Sequence, residues 1–191
     1  MNSYQQALAD RKKQHLLRTL PLPPEGIDFY SNDYLGLARS TSLHKAIEEE
    51  NKHLTTMNGS TGSRLLSGNS EYAENIEKEI ASFHKAEDAL IYSSGYTANL
   101  GLISALATRE TTLICDELIH ASLIDGARLG HAKKQIFKHN DPKDLEHQLR
   151  RVSGQKVVIV ESVYSMDGHI CPLEEFSSIC EKYDAMLLVD E

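Results

Sequence analysis

The sequence predicts an α/β domain built on a mostly parallel sheet with flanking helices. Three observations carry this. Five short apolar runs recur with helical stretches between most of them, which is the spacing of strand–helix–strand units. Several runs, such as Val157–Glu161 and Met186–Asp190, are continuously apolar rather than alternating, as expected of strands buried on both faces. Polar or small residues stand just past the ends of these runs, where such sheets place ligands.

Taken in order, residues 3–18 predict a charged amphipathic helix with a sparse stripe of Leu8, Leu16 and Leu17, broken by Pro21, Pro23, Pro24 and Gly26. Ile27–Tyr30 is a short strand candidate, and Ser31–Leu37 a turn with an apolar end. Residues 42–56 are expected to be helical. The stretch 57–70 is rich in Gly, Ser and Thr and predicts a loop with special backbone demands. Ser70 can cap a helix over 71–84, with Glu71 and Glu74 on the favourable end of its dipole and Ala73, Ile76, Ile80 and Phe83 on its buried face. Strands are expected at Ala89–Tyr92, Thr112–Cys115, Gln135–Lys138, Val157–Glu161 and Met186–Asp190, and helices near 97–107, 118–130, 142–151 and 173–184. The domain reading is an N-terminal helix and linker over 1–40 and a large domain over 41–191.

Composition bounds the function. The chain has 191 residues, 40% apolar and 25% charged, which suits an ordinary soluble globular protein. With 28 acidic against 20 basic residues its formal net charge is −8, which argues against a general binder of nucleic acid or anionic membranes. No run approaches the roughly 20 apolar residues of a membrane span. Cys115, Cys171 and Cys180 are odd in number and lack CxxC spacing, so neither a disulfide framework nor a zinc site is expected, and a reducing, cytoplasmic setting fits.

Four segments can carry chemistry. Tyr92-Ser93-Ser94-Gly95-Tyr96-Thr97-Ala98-Asn99 follows a strand and opens a helix; small residues admit a ligand close to the backbone, and free N–H groups at the helix start attract an anion. Its bland reading is a tight turn. Asp116-Glu117-Leu118-Ile119-His120-Ala121-Ser122 places His120 just past a strand, where an imidazole can stack on a flat heteroaromatic ring; a solvated surface His is the alternative. Glu161-Ser162-Val163-Tyr164-Ser165-Met166-Asp167-Gly168 ends a strand in a carboxylate and offers Ser165 as a donor, or is simply an Asp-Gly turn. Asp190 ends the last strand, where an aspartate can pair with a pyridinium nitrogen or cap a following helix.

In this order the four segments resemble the α-oxoamine synthases, a group of fold-type I pyridoxal-phosphate enzymes. Ser31-Asn32-Asp33-Tyr34-Leu35-Gly36-Leu37 and Gly59-Ser60-Thr61-Gly62-Ser63-Arg64-Leu65-Leu66-Ser67-Gly68 are similar to further signatures of that family, so the resemblance spans essentially the whole chain. It implies pyridoxal 5′-phosphate as cofactor, an aminotransferase class I/II fold, and an acyltransferase that condenses an amino acid with an acyl-CoA or acyl-carrier-protein thioester, releasing CO₂. It implies Gly95 and Tyr96 near the cofactor phosphate, His120 stacked on the ring and touching substrate, Ser165 on the ring oxygen, Asp190 on the ring nitrogen and Glu161 among the cofactor-binding residues. Asn32 and Arg18 are expected near the substrate, Arg18 for a carboxylate.

The Asn32–Leu37 wording and Arg18 point to the branch that joins L-alanine to a pimeloyl thioester, making 8-amino-7-oxononanoate for biotin. The glycine C-acetyltransferase, 5-aminolevulinate synthase and serine palmitoyltransferase types are alternatives, as is a non-catalytic partner subunit. A homodimer is implied. A dinucleotide-binding dehydrogenase is disfavoured, because no GxGxxG follows a strand. The chain ends on a strand carboxylate, so it is expected to be the front part of a larger enzyme, cut before the Schiff-base Lys and the small C-terminal domain. On its own it is expected to be inactive and poorly soluble.

Overall fold

The computed structural model describes residues 2–20, 22, 26–29, 31–54 and 59–191, which fall into two compact units divided between Gly59 and Ser60. In the first unit, α1 (Ser3–Lys13) opens on a reciprocal cap in which the Asn2 side chain accepts from the Gln5 N–H and the Gln5 side chain accepts from the Asn2 N–H. It stops short of the expected residue 18. His15 adopts a left-handed conformation, φ 58°, and the Leu16 N–H turns back to the Arg11 carbonyl, closing the helix. The Ser31–Leu37 signature is a turn built by two residues. Asp33 accepts the Ala38 N–H on its side chain and the Gly36 N–H on its carbonyl, and Gly36 supplies φ 66° before a single 3₁₀ turn, Leu37–Arg39. Helix α2 (Thr41–Asn51) starts on the Ser40 cap. The expected helix end at 55–56, Pro21, Pro23, Pro24, Met57 and Tyr30 lie outside the described residues, and Ile27–Phe29 is not a strand.

The second unit holds the sheet. Helix α3 (Glu71–His84) spans the predicted range, capped by Ser70 and ended by Lys85 at φ 54°. Then follow α4 (Gly95–Leu106), β1 (Thr111–Asp116), α5 (Ala121–Leu129), β2 (Lys133–Phe137), α6 (Pro142–Arg150), β3 (Gln155–Glu161), α7 (Leu173–Lys182) and β4 (Met186–Asp190). The four strands are all parallel in the order β2-β1-β3-β4. This is the expected α/β architecture.

Four of the five predicted strands are present. The register of β2 moves its start back to Lys133, which pairs with Thr112. Ala89–Tyr92 is the correction: it is not a strand, because none of the described residues forms a ladder with it. Its Ile91 N–H goes instead to the Glu77 carboxylate at 2.8 Å.

Chain order places the site. From β1 the chain passes to β2 on one side, then crosses to β3 and β4 on the other. Right-handed crossovers therefore put α5 on one face and α6 and α7 on the other. The observed packing agrees, α5 against α4 and α7 against α6. Connections leave the carboxyl ends of the adjacent strands β1 and β3 in opposite directions, and this switch point opens the crevice where such sheets bind ligands. Beneath it lies one core of fully buried side chains, including Leu113, Ile114, Val158, Ile159 and Val160, with Phe137 and Phe176 edge-to-face at 5.7 Å. No described helix is long and apolar enough to cross a membrane.

Candidate active site at the carboxyl edge of the sheet

Four segments converge on the carboxyl edge. Glu161 and Asp190, the last residues of β3 and β4, are direct neighbours in the register, so two carboxylates stand side by side. Asp190 Oδ2 accepts a hydrogen bond from Asn99 Nδ2 at 2.9 Å, while its Oδ1 has no partner among the described residues. Asn99 Nδ2 also donates to Ser122 Oγ at 3.0 Å, and Ser122 Oγ lies 2.8 Å from His120 Nδ1. A continuous run of hydrogen bonds thus joins β4 to the turn after β1 through α4 and α5.

His120 is the N-cap of α5. Its Nδ1 accepts the Ser122 N–H at 3.2 Å, so the helix predicted from residue 118 begins at Ala121, after its imidazole cap. The His120 backbone N–H donates to Glu161 Oε1. Burial pushes the Glu161 carboxyl above the ordinary range; that N–H holds it down and the Asp190 charge pushes it further up. Glu161 is 6% exposed, so a carboxylate with a like-charged neighbour is kept at this edge at a desolvation cost.

Gly95 opens α4. Ser94 and Thr97 cap each other reciprocally, which leaves the Gly95 and Tyr96 N–H groups without an acceptor among the described residues. A Cβ built on Gly95 meets nothing within 4 Å, so space is open beside these donors. The Tyr96 ring stands edge-on to His120 with centroids 6.3 Å apart. Its hydroxyl donates to Asp125, which raises the phenol above its usual range and holds the Asp125 carboxyl below its own, with Arg128 assisting at 3.0 Å.

Ser165 sits at the tip of a tight turn. The Gly168 N–H bonds to the Tyr164 carbonyl, the Tyr164 N–H bonds to the His169 carbonyl, and Gly168 takes φ 68°. Ser165 is exposed and follows Glu161 by four residues, but makes no side-chain bond to the His120–Asp190 run among the described residues. Arg18 and Asn32 belong to the first unit, and their part in the site rests on resemblance alone. Two residues that link the site, Asn99 and Ser122, escape the sequence reading as candidates. Both are visible in the quoted motifs, Asn99 as the one amide among the small and apolar residues 98–103 of α4. A second cluster supports the same edge: Asp116, 1% exposed, accepts from the Leu118 and Asn140 N–H groups and His139 Nδ1, each at 2.9 Å.

An open carboxylate oxygen, unpaired helix-start donors and an adjacent imidazole at a sheet switch point are groups chemically suited to a phosphorylated, nitrogen-bearing ring. The chain belongs to the aminotransferase class I and II family, which matches residues 24–191. The resemblance to the α-oxoamine synthases is borne out by the individual relatives. The chain is 41% identical over 179 residues to 8-amino-7-oxononanoate synthase 2 of Bacillus subtilis, covering 90% of this chain and 46% of that protein. Among solved structures, a variant of serine palmitoyltransferase from S. paucimobilis, solved with PLP and myriocin bound, matches with a TM-score of 0.76 at 37% identity, over 83% of this chain and 40% of that one. 8-Amino-7-oxononanoate synthase from Francisella tularensis matches with a TM-score of 0.66 at 30% identity, over 86% and 44%. The chain spans about half the length of the curated relatives it matches.

Proposed function

We propose that this chain forms the cofactor-binding part of a pyridoxal-phosphate-dependent acyltransferase that condenses L-alanine with a pimeloyl thioester, on CoA or a carrier protein, to give 8-amino-7-oxononanoate in biotin synthesis. The observation that carries the reading is the hydrogen-bonded run from His120 through Ser122 and Asn99 to Asp190, ending on an oxygen left open for a further partner. Bound there, pyridoxal 5′-phosphate supplies an electron sink for the charge left when the amino acid loses its α-proton and then CO₂.

The protein's share is positional and electrostatic. Asp190 Oδ1 accepts the ring N–H and keeps that nitrogen protonated, while Asn99 fixes the other oxygen. His120 stacks on the ring and meets the substrate, with Glu161 holding it by the backbone. Gly95 and Tyr96 present their N–H groups to the phosphate. Ser165 donates to the ring oxygen. Arg18 takes the acyl carboxylate and Asn32 lies beside the substrate. The assembly is a homodimer, and three buried free thiols suit a reducing cytoplasm.

Equilibrium dialysis with pyridoxine 5′-phosphate, which cannot form an imine with lysine, tests the cofactor reading. We expect saturable binding that Asp190→Ala abolishes; no binding by the wild-type chain overturns the reading. A second reading, the serine palmitoyltransferase type, is favoured by the higher TM-score of that neighbour, 0.76 against 0.66. Release of free CoA thiol by the full gene product separates the two. L-alanine with pimeloyl-CoA is the expected pair, and preference for L-serine with palmitoyl-CoA selects the second.

A further inference from the structure

We infer that Asn99 is a positioning residue that ties His120 to Asp190 and, through Ser122, helps fix His120 as the neutral tautomer with its proton on Nε2. What it positions rests on the proposed cofactor. The hydrogen-bond logic does not.

Only one amide orientation suits Asn99, because turning its carbonyl toward Asp190 would oppose two acceptors. One Nδ2 proton goes to Asp190 Oδ2 at 2.9 Å and the other to Ser122 Oγ at 3.0 Å. Ser122 Oγ is thereby an acceptor toward Asn99, and its own proton is free for His120 Nδ1 at 2.8 Å. The Ser122 backbone N–H also meets Nδ1, at 3.2 Å, and a peptide N–H can only donate. Two donors on one ring nitrogen leave it with its lone pair exposed to both, so the imidazole proton resides on Nε2. Adding a proton to Nδ1 would break both bonds and turn Ser122 away from His120.

The surroundings hold this arrangement in place. Ser122 is 1% exposed, and α5 lies tightly on α4 at Gly126, where a Cβ would stand 3.0 Å from the Asn99 carbonyl oxygen and 3.0 Å from Ile103 Cβ. One amide therefore serves two ends of the site. It orders the carboxylate that would face the ring nitrogen and helps set which nitrogen of the ring-stacking imidazole is a donor.

The test reads the tautomer directly. In long-range ¹H–¹⁵N spectra of the histidine-labelled chain at neutral pH, with the His120 signals assigned by their loss in His120→Gln, we expect a protonated Nε2 and a bare Nδ1. Asn99→Ala and Ser122→Ala both keep the peptide N–H of residue 122 as a donor to Nδ1, so each should retain the Nε2 proton while the His120 Nδ1 resonance shifts as the Ser122 hydroxyl bond is freed or lost. A wild-type spectrum with the proton on Nδ1 overturns the inference without any variant having to fold. So does an unchanged His120 pattern in both substituted chains. In pyridoxine 5′-phosphate binding, Asn99→Ala should weaken affinity about tenfold or more through loss of a hydrogen bond to a charged group, whereas Ser122→Ala should leave it nearly intact. Equal affinity for wild type and Asn99→Ala overturns the positioning role. Absence of binding by the wild type instead sinks the cofactor reading, and the tautomer result then stands or falls separately.

Discussion

Glu77 on α3 and Glu161 at the end of β3 are buried alike, 7% and 6% exposed, yet their carboxyl groups shift in opposite directions. Glu77 is held down to about 2, first by the Arg64 side chain and then by the Ile91 N–H. Glu161 is pushed up, chiefly by burial, with Asp190 adding to it against the His120 N–H. Burial alone does not set the state of a carboxyl group; the partner does. Glu77 has a cation and binds the Gly59–Gly68 signature to α3, with Asn69 bracing Arg64 at 3.0 Å. Glu161 pairs with no Lys or Arg among the described residues and has a second carboxylate beside it, which is an expensive arrangement for structure and an ordinary one for a site.

Removing the cation is the largest expected break in this contrast. Arg64→Ala leaves Glu77 buried with only a backbone donor, and should lower Tm more than Asp116→Asn, Gly130→Ala or Glu161→Gln. It should also change the acid limb. A carboxyl group lowered on folding contributes stability above its unfolded value of 4.5 that is lost as pH falls toward about 2. Wild type should therefore lose stability through that window. The variant should lose less, the remainder coming from Glu146, lowered to about 2 first by Lys182 and then by Tyr183 and Arg150, and from Asp125, held below its ordinary range first by Tyr96. Thermal melts from pH 2 to pH 7 measure both effects, and parallel curves would refute the assignment.

Asp116 sharpens the comparison as a third buried carboxylate, held by neither a Lys nor an Arg among the described residues. Three donors converge on it, two backbone N–H groups and His139 Nδ1. Asp116→Asn keeps the shape but turns one acceptor into a donor facing a donor, so a cost of about 1–3 kcal/mol is expected in denaturant unfolding. A neutral result would mean that the converging donors find water as readily as they find Asp116. Gly130→Ala is a control of similar size from packing alone. Its Cβ would stand 2.1 Å from Ala107 Cβ, an overlap expected to cost about 1–3 kcal/mol and to leave the pH profile unaltered.

These cases also show what the sequence makes legible. Strands β1, β3 and β4 are read from continuous apolar runs, because burial on both faces leaves a compositional trace. Gly95, His120, Glu161 and Asp190 can be singled out because each stands at the end of an element, where sequence marks position well. Ala89–Tyr92 misleads for the complementary reason: it has the composition of a strand, but a strand also needs a ladder partner, which composition does not encode. Helix α1 fails at His15, whose left-handed backbone no periodicity announces. Asn99 and Ser122 lie 23 residues apart and meet only because Gly126 lets two helices close together. Arg64 and Glu77 are equally silent as a pair, and nothing local separates Glu77 from the exposed glutamates of the same helix.

The smallest effect is the most informative about the site. Glu161→Gln keeps a carbonyl oxygen to accept the His120 N–H and removes the charge beside Asp190. A carboxyl group raised on folding favours the native state at low pH, and that contribution is lost as pH rises from 4.5 through its raised value. Wild type carries this penalty at neutral pH and the variant does not, so the variant's Tm should be equal or slightly higher at pH 7 and should converge with wild type, or fall below it, near pH 4. A structural glutamate such as Glu77 behaves in the opposite sense, losing stability at neutral pH when its charge is removed. If Glu161→Gln lowers Tm at pH 7 as a Glu77→Gln chain does, the two glutamates are one kind of residue and the contrast fails. If stability holds while pyridoxine 5′-phosphate binding weakens, the charge at residue 161 is retained for the ligand rather than for the fold.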